Sequence, residues 1–517
     1  MVPSPSPQER DWDSALKKGF LVESRERAAW VPLSTAMVML LLGLASVATR
    51  PWIQPEAQRW LQVRHGLLEL FTQLTTSTLE PPLYSWVAGA LLMVGDLNTL
   101  RLFSLLCGTL AVFLLTHRLT KLLGEPQAWM FGFLLATSPF LQFAFSHGDS
   151  QGMLALLLVT TGLFAERFFQ KPTALTALNT GLFSALVLQT DYFAGVLVVI
   201  PLLVGILLWC VKEGRTVEGL AALAPPWISA LAWSPFLLNQ LDAAALAPGG
   251  GGWSVVGWLR IMALLLASFA GGDALPVWTF GGLAVALMLL GASAAGLWKV
   301  IRAGTRGRIV AGVLLLLFLL ITAAGSALQF GSEALLFPRT LGWFFLLGYL
   351  VVMGIPLALN RAPNALLVLI GVSHGIGLVA HFATRGHTSW EHGIPSGEIA
   401  AQVLAIKEEH PGSLVLVDRR KLAVVEWELE RLQPGSTTRS CPPQGPLIVV
   451  STADSPAWPL TDAFQAEFNC IPYFEPQLLK EEPLQPLPRG MARMHATLFG
   501  ETPPPHRVVI RVMGQSE

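Results

Sequence analysis

Repeated apolar runs, each long enough to cross a lipid bilayer, are the feature that most constrains the fold of this 517-residue chain. The residues are 53% hydrophobic and 13% charged, a composition typical of a polytopic membrane protein. About 20 helical residues span the hydrocarbon core, because a helix rises about 1.5 Å per residue. The runs predict eleven transmembrane helices, at approximately 30–49, 98–119, 126–145, 150–168, 173–189, 191–211, 217–238, 275–298, 308–328, 336–358 and 364–382.

Two shorter apolar segments are predicted not to cross the membrane. Residues 82–94 are too few for a comfortable crossing, and they predict a helix that lies on the membrane and starts at Pro81-Pro82. Residues 253–270 follow a glycine-rich loop, Gly249 to Gly252, and predict an interfacial or re-entrant segment.

Lysine and arginine residues indicate the orientation of these crossings. With residue 1 in the cytoplasm, sixteen basic residues lie on the inner side, and six lie outside before the tail: Arg50, Arg59, Arg64, Arg101, Arg260 and Arg339. Cytoplasmic loops of membrane proteins usually carry more lysine and arginine than outer loops do. If residues 82–94 crossed the membrane, every later loop would change sides, and most of these basic clusters would lie outside. The N-terminal residues lack the short apolar region and cleavage site of a secretory signal. The net charge of zero gives no indication of nucleic-acid binding.

This orientation divides the chain into three parts. Residues 1–29 form a cytoplasmic segment, residues 30–384 a transmembrane domain with a long first outer loop at 50–97, and residues 385–517 an extracytoplasmic domain. The tail predicts a small α/β fold, with helices at Ser396–Glu409 and Ala423–Leu432 and strands at Ser413–Val417, Pro446–Ser451 and Arg507–Val512. Its proline-rich stretches, 472–488 and 503–505, predict loops.

The four cysteines fall into two classes. Cys107 and Cys210 lie in apolar runs and are expected to stay reduced, whereas Cys441 and Cys470 lie in the polar tail. Because the predicted outer side is an oxidising compartment, we expect a disulfide between the two tail cysteines.

Acidic residues on the predicted outer face are candidate catalytic or binding residues. Glu56 and Glu80 lie in the first outer loop, where an acid is either merely solvated or functional. Asp149 and Asp191 each stand where one predicted crossing ends and the next begins. A carboxylate there either caps the following helix or acts in a site.

Arginine and histidine residues on the same face also have both ordinary and functional interpretations. Arg339 stands at the outer mouth of a crossing and binds either ordinary lipid headgroups or a specific phosphate. His65 and His147 are conceivable metal ligands, but no histidine or cysteine spacing typical of a metal site supports them. No glycine motif that holds a nucleotide phosphate is found, which argues against a nucleotide-driven pump.

Three segments near the start of the chain carry a resemblance to a known class of enzymes. They are Pro55-Glu56-Ala57-Gln58-Arg59-Trp60, Glu80-Pro81-Pro82-Leu83-Tyr84-Ser85-Trp86 and Arg101-Leu102-Phe103-Ser104. Together with Ser138-Pro139 and Asp149 they resemble the GT-C class of membrane glycosyltransferases. Within that class they are similar to the bacterial lipid A aminoarabinose transferases and to the protein O-mannosyltransferase relatives. The resemblance covers roughly residues 30–240.

The resemblance implies that the protein is a glycosyltransferase at the outer face of a bacterial plasma (inner) membrane. Its donor would be a polyprenyl-phosphate-linked sugar, and its acceptor a lipid, a glycan or a protein. Arginines would pair with the donor phosphate while a carboxylate deprotonates the acceptor. The residues so assigned are Glu56 and Asp149 as catalytic, Glu80, Tyr84, Arg101 and Arg339 as substrate-binding, and Glu80 also as a ligand of a divalent metal ion.

One departure from the family pattern concerns the catalytic base. The first-loop aspartate of the family aligns with Pro55, which cannot accept a proton. Either Glu56 or Asp149 takes over that role, or the protein is a catalytically silent relative that binds lipid or a partner protein. A secondary transporter is a third hypothesis, which is disfavoured because the predicted crossings carry few charges and no paired broken helices.

Reporter fusions test the predicted topology. A reporter fused after Lys121 or Lys212 is expected to behave as cytoplasmic, and one fused after Gly386 as external, because basic residues favour the inner loops. Reporter activity in intact cells measures the side. An external signal at Lys121 would mean that residues 82–94 span the membrane, and it would remove the outer-face site.

Overall fold

The computed structural model describes most of the first 245 residues and parts of the C-terminal half. The described ranges are 30–49, 54–63, 66–76, 81–123, 125–245, 364–383, 396–437, 446–452, 476–484 and 508–515, with single positions at 52, 284, 287 and 298. Several predictions therefore fall outside the described residues: Glu80, Arg339, His65, the disulfide between Cys441 and Cys470, the segments 249–252 and 253–270, the crossings at 308–328 and 336–358, and most of the crossing at 275–298.

The chain divides into two compact units. The membrane unit comprises Met1–Thr49 and Leu67–Arg385, and the sheet unit comprises Arg50–Gly66 and Gly386–Glu517. The sequence predicts that the whole first outer loop, 50–97, belongs to the transmembrane domain. In the structure, the first part of this loop groups instead with the C-terminal residues.

Helices follow one another through the described part of the first 245 residues. In chain order they are α1 (Trp30–Thr49), α2 (Gln54–Val63), α3 (Leu67–Thr76), α4 (Pro82–Val94), α5 (Leu97–Leu123), α6 (Glu125–Thr137), α7 (Pro139–Ser146), α8 (Gln151–Gln170), α9 (Ala174–Leu188), α10 (Tyr192–Ala194), a π-helical segment (Gly195–Val199), α11 (Ile200–Lys212) and α12 (Thr216–Ala245). The membrane unit also contains α13 (Asn364–Ala383). Helix α2 alone of these belongs to the sheet unit.

Four of the described helices are long and apolar enough to cross a membrane: α1, the Leu97–Lys121 part of α5, α8 and the Thr216–Gln240 part of α12. The bent pair α6 and α7 makes a fifth if both parts count as one crossing. Helix α9 coincides with the predicted crossing at 173–189 but has only 15 residues. A mostly helical unit with several helices long and apolar enough to cross a membrane is therefore confirmed, while the total of eleven crossings stays a prediction.

Helix α4 has the bounds that the sequence predicts for the short helix at 82–94. It starts with Pro81 in an extended conformation and Pro82 in the first turn, where a missing N–H costs nothing. Its position on the membrane surface stays a prediction.

Side-chain caps fix the start of several helices in this unit. Asp96 accepts a hydrogen bond from the Thr99 backbone N–H at 3.1 Å, and Thr99 Oγ1 accepts one from the Asp96 N–H at 3.2 Å, so the pair closes the first turn of α5. Burial alone would raise the pKa of Asp96, but hydrogen bonds from Thr99 and Asn98 lower it. Asp191 accepts from the Ala194 N–H at 2.8 Å and thus caps α10, which is one of its two predicted roles.

Glycine allows two helix pairs of the membrane unit to approach closely. A Cβ atom at Gly152 in α8 would overlap the backbone oxygen of Ser104 in α5, and one at Gly181 in α9 would overlap that of Ala222 in α12. Small residues at helix contacts are the usual means of packing in membranes, because van der Waals contact rather than water exclusion drives association there.

The described C-terminal residues contain a four-stranded sheet and two helices, α14 (Ser396–Glu409) and α15 (Arg419–Leu432). The strands are β1 (Leu414–Val417), β2 (Leu447–Thr452), β3 (Pro476–Leu484) and β4 (Val508–Gln515), in the order β1-β2-β4-β3. Strand β1 pairs parallel to β2, with Leu414 opposite Leu447, and the other pairs are antiparallel. Both helices and strands β1, β2 and β4 lie close to the positions that the sequence pattern predicts.

Strand β3 corrects one prediction, because residues 472–488 were expected to form a loop. The strand runs from Pro476 to Leu484 and pairs with β4 alone, at the edge of the sheet. Proline is tolerated at an edge, where one side of the strand donates no ladder hydrogen bonds. The pairing also shifts register between Leu478 and Lys480, as edge strands often do.

Helix α2, from the first outer loop, packs against α15 within the sheet unit. Trp52, just before α2, meets Trp427 of α15 edge to face, with ring centroids 4.9 Å apart. Ala57, Leu61 and Val63 of α2 are buried. An apolar helix face and an aromatic pair therefore hold this part of the loop.

A glycine substitution tests the close crossing of α5 and α8. Gly152→Ala is expected to lower the free energy of unfolding by ~1–3 kcal/mol, because the added methyl would overlap the Ser104 backbone. Gly162→Ala on the same helix is the matched control. No atom lies within 4 Å of that added methyl, so the change is expected to be neutral or to stabilise by up to about 1 kcal/mol. Thermal unfolding in detergent measures both, and equal midpoints would contradict the close approach.

Candidate functional site

The membrane unit contains a helix that breaks at Ser138-Pro139. Helices α6 and α7 meet there at an angle of 60°. Ser138 caps α7, since its hydroxyl accepts from the Leu141 N–H at 3.4 Å. Gln142 Nε2 donates to the Ala136 carbonyl at 2.6 Å and so supplies a hydrogen bond that the broken helix has lost. Breaks within membranes persist only where such partners replace the missing backbone bonds.

The turn that follows α7 is polar and largely buried. We call residues 146–151 the polar turn. Its members Ser146, His147, Asp149 and Gln151 are at most 5% exposed. Charged and polar side chains inside a membrane unit are expensive to bury, and they mark functional sites more often than surface ones do.

Helix α5 lies against the polar turn. A Cβ atom at Gly148 would be 3.1 Å from the Leu100 side chain, and Gly152 touches the Ser104 backbone. Arg101 stands between these two contacts and is three residues from Ser104, so the two share a helix face. Arg101 is 1% exposed and Asp149 is 5% exposed. The structure therefore brings two predicted site residues of opposite charge onto contacting segments.

Asp149 and His147 have defined local hydrogen bonds. An Asp149 carboxylate oxygen accepts from the Ser150 N–H at 2.7 Å. His147 Nδ1 lies 2.6 Å from the Phe143 carbonyl oxygen, and its ring packs on that of Phe143 with centroids 4.1 Å apart. A carbonyl oxygen can only accept, so Nδ1 carries a proton and donates to Phe143.

A second set of buried polar contacts comes from α13, which packs against α6 and α7. His374 Nδ1 lies 3.5 Å from Thr137 Oγ1 at the end of α6. His381 Nε2 lies 3.0 Å from Ser46 Oγ of α1, which in turn lies 3.0 Å from Ser146 Oγ. These histidines were not among the site residues predicted from the sequence. The feature that could have identified them is a pair of histidines seven residues apart in a mostly apolar run.

Tyr84 and its neighbours in α4 are also placed in the membrane unit. Tyr84 is 1% exposed, and the Leu83 N–H donates to the Gln189 carbonyl at 2.9 Å, which joins α4 to the end of α9. Trp86 is 51% exposed and its ring meets that of Phe71 at 6.2 Å. The motif that contains these residues thus buries its tyrosine and exposes its tryptophan.

A chain of hydrogen bonds ties helix α3 of the first outer loop to α12. Trp233 Nε1 donates to Tyr192 Oη at 2.7 Å, and Tyr192 Oη donates to Gln240 Oε1 at 3.0 Å. Gln240 Nε2 donates to the Leu74 backbone carbonyl. This part of the loop is therefore fixed within the membrane unit.

Glu56, the other predicted base, lies in the sheet unit. It stands in the first turn of α2 and is 1% exposed, and Arg59 one turn later is 6% exposed. Helix α2, which carries both residues, packs against α15. The structure thus places Glu56 in a different unit from Arg101 and Asp149.

The described residues contain no group of three or more histidine, cysteine, aspartate or glutamate side chains that could hold a metal ion. His147 and Asp149 belong to the same turn, but they are two donors rather than three. Glu80, the predicted metal ligand, lies outside the described residues, so its role stays a prediction.

The fold can be compared with those of solved structures. No protein-family model matches the chain, and no curated protein matches it in sequence. ArnT from Cupriavidus metallidurans in the apo state is similar in structure, with a TM-score of 0.52 and 14% identity, over 93% of this chain and 97% of that one. The oligosaccharyltransferase of Archaeoglobus fulgidus in the apo form has a TM-score of 0.47 and 12% identity, over 83% of this chain and 70% of that one. The likeness to ArnT shows a shared fold, and it confirms the predicted resemblance to the GT-C class.

Proposed function

We propose that the protein transfers a sugar from a polyprenyl-phosphate donor to an acceptor on the outer face of a bacterial inner membrane. The observation that carries the proposal is the burial of Arg101 and Asp149 on contacting segments of a membrane unit with a GT-C-like fold. ArnT, whose apo structure shares this fold, has also been solved bound to undecaprenyl phosphate. This function requires two partners, a lipid-linked sugar donor and an acceptor that is a lipid, a glycan or a protein.

Arginine suits the recognition of the donor phosphate. Its planar guanidinium forms paired, charge-assisted hydrogen bonds with phosphate oxygens, and these bonds strengthen where water is excluded. Arg101 is buried beside the polar turn, which provides such surroundings. Arg339 is the second arginine assigned to the phosphate, on its sequence position alone.

Asp149 is the carboxylate that we assign as the base. The acceptor hydroxyl or amine loses its proton to the carboxylate, and the freed electron pair forms a bond to the anomeric carbon. The bond from that carbon to the phosphate oxygen breaks, and its electron pair leaves with the polyprenyl phosphate. Asp149 is favoured over Glu56 because it shares a unit with Arg101, close to where the leaving phosphate would be held.

A divalent metal ion enters this scheme only through Glu80. The described residues do not provide a complete ligand set, so no step is assigned to a metal. If one binds, Glu80 would hold it, and it would neutralise phosphate charge.

A catalytically silent relative is the second candidate function. Pro55 at the position of the family's aspartate is the observation that favours it. Such a protein would keep the fold and bind lipid or a partner protein without transferring sugar.

Carboxylate substitutions test the assignment of the base. In purified membranes supplied with radiolabelled polyprenyl-phosphate sugars, Asp149→Asn is expected to slow transfer by about 10²–10⁴-fold, the usual contribution of a general base. Arg339→Ala is expected chiefly to weaken donor binding, by roughly 1.5–3 kcal/mol. Both should keep normal expression and thermal stability.

Substitutions of two other acidic residues provide the comparison for Asp149→Asn. Glu56→Gln is expected to change transfer much less than Asp149→Asn. Asp96→Asn is the matched control, because asparagine caps a helix as well as aspartate does and Asp96 is exposed. If Asp149→Asn leaves an active wild type unslowed, the assignment of the base is wrong. If the wild type transfers no sugar from any polyprenyl donor, the silent-relative function takes its place.

A further inference from the structure

Helix α13 turns two histidines toward the rest of the membrane unit. His374 is 1% exposed and His381 is 6% exposed, whereas Val372, Ile376 and Val379 on the other side are at least 50% exposed. An imidazole buried in an apolar environment is costly unless its nitrogens are hydrogen-bonded. Both histidines meet this condition by contacting the elements around the broken helix.

The contacts of His381 form a continuous chain. His381 Nε2 lies 3.0 Å from Ser46 Oγ, and Ser46 Oγ lies 3.0 Å from Ser146 Oγ. Ser146 Oγ in turn lies 3.3 Å from the Phe143 carbonyl oxygen. The chain therefore connects a ring nitrogen on α13 to a backbone oxygen of α7.

The last acceptor of this chain is shared with the polar turn. The Phe143 carbonyl that accepts from Ser146 also accepts from His147 Nδ1 at 2.6 Å. His147 is two residues before Asp149. The chain from His381 consequently ends on the atom that also accepts from the His147 side chain of the turn.

We propose that His381 is a positioning residue, which holds the polar turn in place through Ser46 and Ser146. This inference rests on the proposed function, in which Asp149 of that turn is the base. Helix α7 has only eight residues, too few to be stable without tertiary contacts, and Pro139 separates it from α6. A fixed hydroxyl at its last residue therefore limits the freedom of the turn that follows.

Transfer kinetics of His381 variants test the role. His381→Leu is expected to lower kcat by about tenfold, with the KM for the donor changed less than about twofold, since the loss of one buried hydrogen bond displaces the turn without removing a phosphate contact. His381→Gln is expected to restore kcat to within about twofold of wild type, because its side-chain amide can donate or accept in place of the ring nitrogen.

Two controls separate positioning from general packing. His374→Leu removes a buried imidazole from the same helix face, and it is expected to leave kcat within about twofold of wild type. Ser46→Ala is expected to match His381→Leu, and the double variant to be no slower than either single one, because both break the same chain. A kcat for His381→Leu equal to that of wild type, or an equal loss in His374→Leu, would overturn the proposal.

Amide hydrogen exchange of the peptide that covers residues 146–151 provides a measurement that needs no activity. His381→Leu is expected to speed exchange there about tenfold, and His381→Gln and His374→Leu to leave it within about twofold. Unchanged exchange in His381→Leu would overturn the positioning role even if transfer is slowed. If the wild type proves inactive, the proposed function fails, and the exchange result alone decides whether His381 holds the turn.

Discussion

The replacement of backbone hydrogen bonds that are lost at a helix break is the constraint on which the candidate site depends. At Ser138-Pro139 the chain interrupts a helix and frees backbone groups, which Gln142 and the Ser138 hydroxyl take up. The break turns α7 away from α6 and brings its end to α1, α5 and α13. The polar turn, with Asp149 and His147, begins where α7 ends. The side chains that replace the hydrogen bonds lost at the helix break thus lie next to the residues of the candidate site.

The two units contribute differently to the proposed chemistry. The membrane unit holds Arg101, Tyr84, His147 and Asp149, whose side chains are all nearly inaccessible. The sheet unit includes the start of the first outer loop, where α2 packs against α15 and Glu56 is buried. Pro55, the position at which the GT-C pattern has an aspartate, thus lies in the sheet unit, whereas Asp149 lies in the membrane unit.

Much of the fold could be predicted because hydrophobic periodicity reports burial directly. The bounds of α4 follow from a short apolar run behind two prolines, and β1, β2 and β4 follow from short apolar runs. Strand β3 could not be predicted in this way, since its prolines are compatible with a strand only at a sheet edge. Whether a strand lies at an edge depends on the order of all strands in the sheet, which a short stretch of sequence does not reveal.

The candidate site was predictable only in part, for a similar reason. Asp149 and Arg101 stand out because charges are rare next to apolar runs. His374 and His381 are hidden within a run that reads as one crossing, and their importance depends on contacts with residues more than 230 positions away. The membership of α2 in the sheet unit likewise depends on a partner helix near the other end of the chain.

The most direct test of the central claim is the release of free polyprenyl phosphate. Purified protein in liposomes would be given a set of polyprenyl-phosphate-linked sugars with bacterial membrane extract as a source of acceptors, and the lipid products measured by mass spectrometry. We predict that free polyprenyl phosphate accumulates only when acceptor is present, in proportion to the sugar transferred. Donor lipids that stay intact across the whole set, with the protein folded, would contradict the claim that this chain is a glycosyltransferase.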